Sequence, residues 1–219
     1  MTGPANPAKL PLMKSILALL MFALSAQAGA TIEGKVTLPP ARSAAAAATA
    51  RYAGLPHVGP PDPPAAIVYL EGSFPAATNS VVEVGQKNYQ FAPGLLAVQK
   101  GATVKFPNFD DDYHNVFSLS KSKRFDLGRY RKGEDPGRQT FPVAGVVKLY
   151  CDIHEHMRAT ILVLDTPYFV KTEKDGSYKL TNLPAGSYTL KAWLDEKKVL
   201  EKPVELKDGE TLKVDFPGK

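Results

Sequence analysis

The chain has 219 residues, 44% of them hydrophobic and 22% charged, with 17 glycines, 19 prolines and one cysteine. Punctuation by Pro and Gly favours sheets over helices, and the length suits two small β domains. A formal charge of +5 is too mild to argue for a nucleic-acid partner, and a lone cysteine excludes an intramolecular disulfide.

Near the start, Lys14 precedes an apolar run from Ile16 to Leu24 and then the small residues Ser-Ala-Gln-Ala-Gly-Ala. This pattern predicts a secretory signal peptide over 1–28, cleaved after Ala28 or Ala30. Nine apolar residues fall short of the ~20 that span a bilayer, so no membrane span is expected in the mature protein. Loss of Lys9 and Lys14 lowers the formal charge to +3. The expected location is periplasmic or secreted, where an unpaired thiol needs a reason, and metal ligation supplies one.

After the leader, Ile32, Gly34, Val36 and Leu38 alternate with Glu33, Lys35 and Thr37 as in a half-buried strand, with Ala66 to Leu70 its expected partner. The Ala- and Pro-rich residues 39–65 between them read as an extended loop. Short strands follow from Val81 to Phe106. Asp110 to Tyr113 is expected to be a solvated loop, since it lacks a Gly-punctuated pattern for a hard cation. His114 to Leu119 returns to strand, Lys121 to Arg138 reads as a long polar connection, and Gln139 to Val143 is again strand. In the strand Val146 to Cys151, the residues Val147, Leu149 and Cys151 share the core-facing side. Ala159 to Leu164 is the next strand. Beyond Thr166-Pro167, a hairpin turn is expected at Asp175-Gly176 and a turn at Asp208-Gly209, each between alternating runs, and no helix is needed.

The loop between two of these strands reads Cys-Asp-Ile-His-Glu-His-Met, and His114-Asn115 begins 37 residues before its cysteine. Cys151 is the only cysteine, and Met157 the only methionine beyond the leader. Two imidazoles and a thiolate with a weak thioether form the ligand set of copper electron-transfer centres. One Cu(I)/Cu(II) ion is therefore expected, held by His114, Cys151, Met157 and either His154 or His156. Taken singly, His114 reads as well as a surface histidine, Cys151 as an inert buried thiol and Met157 as core filler; their joint occurrence favours ligation. Asn115 is expected to hydrogen-bond to the backbone near Asp152, tying the ligand segments together.

Residues 79–165 resemble the cupredoxins, through Phe91-Ala92-Pro93, Gly101 with Val104 and Phe106, Asn108, His114-Asn115-Val116 and the Cys151, His154, Met157 loop. That loop is similar to amicyanin's in spacing, with Glu155 where that family usually carries Pro. The resemblance favours His154 as the second imidazole and implies the metal ligands His114, Cys151, His154 and Met157. Asp175-Gly176-Ser177-Tyr178 and Leu183-Pro184-Ala185-Gly186-Ser187-Tyr188 are similar to carboxypeptidase regulatory-like domains, whose opening strands match Gly34-Lys35-Val36 and Ala66-Ile67-Val68. Together the resemblances imply an all-β chain. A Greek-key cupredoxin β-sandwich at 79–165 would split a smaller prealbumin-like β-sandwich made of 29–78 and 166–219. The arrangement resembles periplasmic proteins labelled as methylamine-utilisation proteins. The expected role is a single-electron carrier rather than an enzyme, with protein redox partners, acidic ones docking on the basic segment 121–138. Copper chaperoning or storage is the competing expectation, and a binding module using an exposed Trp193 is a further one.

Overall fold

The computed structural model describes Gly3 and residues 29–41, 62–75 and 81–218. The predicted leader, Gly3 aside, and much of the Ala- and Pro-rich tract lie outside the described residues. Among the described residues the regular structure is all strand: β1 (Ala30–Lys35), β2 (Ile67–Glu71), β3 (Val81–Glu83), β4 (Gly85–Lys87), β5 (Gln90–Ala92), β6 (Leu95–Gln99), β7 (Thr103–Lys105), β8 (His114–Ser120), β9 (Lys123–Tyr130), β10 (Arg138–Thr140), β11 (Gly145–Tyr150), β12 (Arg158–Leu164), β13 (Phe169–Lys171), β14 (Ser177–Leu183), β15 (Gly186–Asp195), β16 (Lys198–Leu206) and β17 (Thr211–Lys213).

Two sandwiches result. In one, the five-stranded sheet β6-β12-β11-β8-β9 faces the three-stranded sheet β10-β7-β3 across a core that includes Val98, Val104, Phe106, Val116, Phe141, Val147, Leu149 and Ile161. In the other, β13-β2-β15-β16 faces β14-β1-β17 across Ile32, Val68, Leu70, Tyr178, Leu180, Leu190 and Phe216. A third apolar layer, Ile67, Leu162, Leu164 and Trp193, joins the two. This explains why Ala159 to Leu164 is apolar almost throughout instead of alternating. Ile161 and Val163 point into the first core and Leu162 and Leu164 into the joining layer, so β12 is covered on both faces, the condition that produces continuous apolar strands. Trp193 is 6% exposed and packs in this layer, so it is no surface contact.

Three expectations are corrected. Lys121 to Arg138 contains β9, whose Phe125 and Leu127 pack against the first core while Arg124 and Asp126 face out; the polar outer face masked the alternation. The strand at Ile32 does not pair with Ala66 to Leu70. Instead β1 pairs with β14 and β17, and β2 with β13 and β15, because period-2 patterns carry no record of partners. Gly34 reflects that pairing, since a Cβ there would stand 1.9 Å from the Val214 carbonyl oxygen. Finally, the Asp175-Gly176 turn joins β13 to β14, which lie in different sheets.

Candidate metal centre

His114 opens β8, and Cys151 follows the last residue of β11. The two strands are antiparallel neighbours with Tyr150 opposite Phe117, so the register sets the beginning of one beside the end of the other. Between Asn115 and Phe117 the pairing of β8 with β9 shifts register, with the extra residue on β9, a bulge of the kind common beside functional sites. The loop after Cys151 is short, and every third residue turns inward: Cys151, His154 and Met157 are buried while Asp152 and Glu155 are exposed. A bond from the Met157 N–H to the His154 carbonyl at 2.9 Å closes its turn.

The donor atoms of His114, Cys151 and His154 all lie within 4.8 Å of one another, and all three side chains are buried. His114 Nδ1 and His154 Nδ1 are 3.1 Å apart, and Cys151 Sγ is 3.8 Å from His154 Nδ1. Nitrogen and sulfur donors held ~2.0–2.3 Å from one transition-metal ion stand roughly 3.3–3.7 Å from each other, close to these separations. Met157 is fully buried and belongs to the same core cluster as Cys151. One thiolate, two imidazoles and a thioether fit copper, since imidazole suits Cu(II) and soft sulfur suits Cu(I).

The fourth histidine of the sequence, His57, lies outside the described residues. His156 is turned away from the cluster, and its Nε2–H donates to the Tyr89 carbonyl at 2.9 Å.

Metal binding requires a deprotonated thiol and neutral imidazoles, and the surroundings shift Cys151 and His154 toward those forms and His114 away from them. Burial opposes ionisation of the Cys151 thiol, but hydrogen bonds from the His114 ring and from the backbone N–H groups of Asn115, His154 and Ile153 outweigh it, and the thiol pKa falls below the ordinary value. Burial also works against charge on His114, yet its hydrogen bonds to Cys151 and Asp110 carry its pKa above the ordinary value. Burial, then the neighbouring His114 and His156, push His154 down.

The Asn115 side chain does not make the expected bond near Asp152; only its main-chain N–H reaches the Cys151 sulfur. Its side-chain amide donates to Asp126 at 2.7 Å and to the Gly128 carbonyl at 3.0 Å, both on β9. Asp152 instead pairs with Arg129, at 2.9 Å.

The acidic loop holds what sequence reasoning missed. Asp110 is not a solvated residue. Its Oδ2 accepts from His114 Nε2 at 2.9 Å and from the Tyr89 N–H at 2.9 Å, and its Oδ1 from the Asn88 N–H at 2.8 Å. A carboxylate bonded to one ring nitrogen fixes a histidine's tautomer and orientation, and here it leaves His114 Nδ1 to face the cluster. Asn108 shapes the loop: its side chain accepts from the Asp110 N–H and donates to the carbonyls of Asp112 and Tyr130. The available signal was an Asp four residues before His114, which three consecutive acidic residues obscured. Tyr89, whose ring meets those of His114 and His154, carried no sequence signal.

Comparisons with known proteins add the following. No protein-family model matches the sequence, and no curated protein does. Among solved structures, the chain is similar to a copper-containing nitrite reductase from Thermus scotoductus, at 24% identity and TM-score 0.37 over 43% of this chain and 25% of that one. It is similar to amicyanin from Paracoccus versutus, at 21% identity and TM-score 0.35 over 44% of this chain and 96% of that one. A purple cupredoxin from Nitrosopumilus maritimus is similar at 24% identity and TM-score 0.34, over 38% of this chain and 99% of that one. The chain thus spans about a quarter of the nitrite reductase.

Proposed function

We propose that this chain is an exported copper protein that carries single electrons between protein partners and transforms no substrate. The observation that carries the reading is the buried cluster of His114, Cys151 and His154 donor atoms within 4.8 Å, with Met157 completing the ligand set. Copper bound there would supply a centre that alternates between Cu(I) and Cu(II). The residues of the chain supply the rigid frame. Asp110 fixes His114, backbone N–H groups hold the Cys151 sulfur, and the His154 to Met157 turn is closed on itself. Ligands held in this way have little freedom to rearrange when the charge changes.

His154 is 8% exposed and borders a concavity of about 600 Å³ lined by Asp112, Tyr113, Arg129 and Ile153. Its ring is the exit from the buried site toward a partner. Exposed Arg124, Arg129, Arg131, Lys132 and Arg138 give an acidic partner a place to dock. The reading also divides the chain into an electron-carrying cupredoxin unit at 79–165 and a carboxypeptidase regulatory-like sandwich at 29–78 and 166–219; the pairing of β1 with β14 and β17 and of β2 with β13 and β15 supports the division. Export, to the periplasm or outside the cell, rests on the composition of residues 1–28.

The test is to load the protein lacking residues 1–28 with Cu(II) and record visible and paramagnetic resonance spectra beside Cys151→Ser and His156→Ala. An intense blue or violet band, absent in the first variant and kept in the second, is expected. A colourless complex refutes electron carriage and places copper handling first.

A further inference from the structure

The β4–β5 hairpin closes on a two-residue turn, Asn88-Tyr89, with Lys87 opposite Gln90. Both turn residues are left-handed, at φ 53° and 57°. Such turns match the twist of the strands and favour Asn-Gly at the two positions. Asn88 obeys this preference and Tyr89 breaks it, because a bulky side chain at positive φ is an outlier. Strain of this kind persists only where the surroundings hold it, and it gathers at functional sites.

The surroundings account for the exception. The Tyr89 N–H donates to the same Asp110 oxygen that His114 Nε2 reaches, and its carbonyl accepts from His156. Its ring stands edge-on to His114, with centroids 5.5 Å apart, and edge-on to His154 at 5.0 Å. Its hydroxyl donates to Asp112. A glycine would retain both main-chain bonds and relieve the turn. The ring is the one part that the hairpin does not need, and it is the part that touches both ligand histidines.

We propose that Tyr89 is a positioning residue of the metal centre. Its ring wedges the imidazoles of His114 and His154 into the orientation in which their Nδ1 atoms face one another, and it closes the turn side of the site. The inference rests on the copper reading and deepens it, since loss of the wedge frees the ligands to rotate and lets the ion leave.

The experiment compares the parent protein with Tyr89→Gly, Tyr89→Asn and Tyr89→Phe. Urea denaturation and the histidine ring proton signals are followed in the metal-free protein, and Cu(I) retention is followed against a chromophoric chelator. Expected for Tyr89→Gly are a denaturation midpoint no lower than the parent's, broadened His114 and His154 ring signals, and copper held about tenfold more weakly. Tyr89→Phe, which keeps the ring, should match the parent. Sharp ring signals and parental retention in Tyr89→Gly would overturn the proposal and leave Tyr89 a turn residue. Should that variant not fold, Tyr89→Asn serves the same comparison, because Asn also tolerates positive φ; failure of both to fold overturns it as well, making the ring a requirement of the fold. A parent that takes up no copper refutes the copper reading, while the metal-free ring signals still decide the role of Tyr89.

Discussion

Replacing Asp110 by Asn tests how much the acidic loop contributes to the metal centre. The Asp110 side chain is 13% exposed, and its carboxylate accepts three hydrogen bonds at 2.8 to 2.9 Å, from Asn88, Tyr89 and His114. Asn keeps the shape but has one acceptor oxygen. With that oxygen toward Tyr89 and His114, the amide NH₂ confronts the Asn88 N–H and that bond is lost, while the bond to His114 changes from charge-assisted to neutral. A bond to a charged group contributes ~1.5–3 kcal/mol and a neutral one about 1, so the hold on His114 weakens by about 1–2 kcal/mol. That corresponds to roughly 5- to 30-fold in metal affinity at ~1.4 kcal/mol per tenfold, overlapping the roughly 10- to 100-fold seen when the outer partner of a ligand histidine is removed. Loss of a nearby negative charge disfavours Cu(II) more than Cu(I), so the reduction potential should rise, by about 59 mV for each tenfold difference between the two affinities. Chelator competition for each oxidation state, with voltammetry as the cross-check, measures both effects. A folded Asp110→Asn protein with parental affinity and potential would refute the reasoning.

Met157→Leu conserves core volume and should cost under ~1.5 kcal/mol in a urea titration, yet raise the reduction potential because the thioether is lost; a change in stability alone would make Met157 core filler. Trp193→Ala removes the largest side chain of the layer joining the sandwiches and should destabilise the protein by ~3–5 kcal/mol, while the spectrum of the copper-loaded protein stays as it was. In the metal-free protein, thiolate absorbance at Cys151 should titrate with a midpoint below the ordinary 9.0. A depressed acidic pKa stabilises the folded state above the unfolded value, and that gain is lost as pH falls through the folded one. The apo-protein should therefore gain stability from this group as pH rises toward 9.0, and a Cys151→Ser protein should lack that slope.

Composition and local pattern carried much of this protein. The donor types, their spacing in the Cys151 to Met157 loop, and the inward face of Val147, Leu149 and Cys151 were legible because a strand of period 2 and a short loop are local objects. His114 was legible as a candidate only, since nothing in a sequence measures the distance between residues 37 apart. Strand β9 was misread because its outward residues are charged and its inward Phe125 and Leu127 are few.

The tertiary structure decided what depends on partners distant along the chain. It chose which sheets β1 and β2 join, and it buried β12 and Trp193 between two sandwiches. It left His156 out of the donor cluster, set Asp110 on His114 and brought the Tyr89 ring against both His114 and His154. The physical reason is the same in each case: side-chain type and alternation are fixed residue by residue, whereas register, hydrogen-bond partners and the second face of a strand exist only once separate segments have packed.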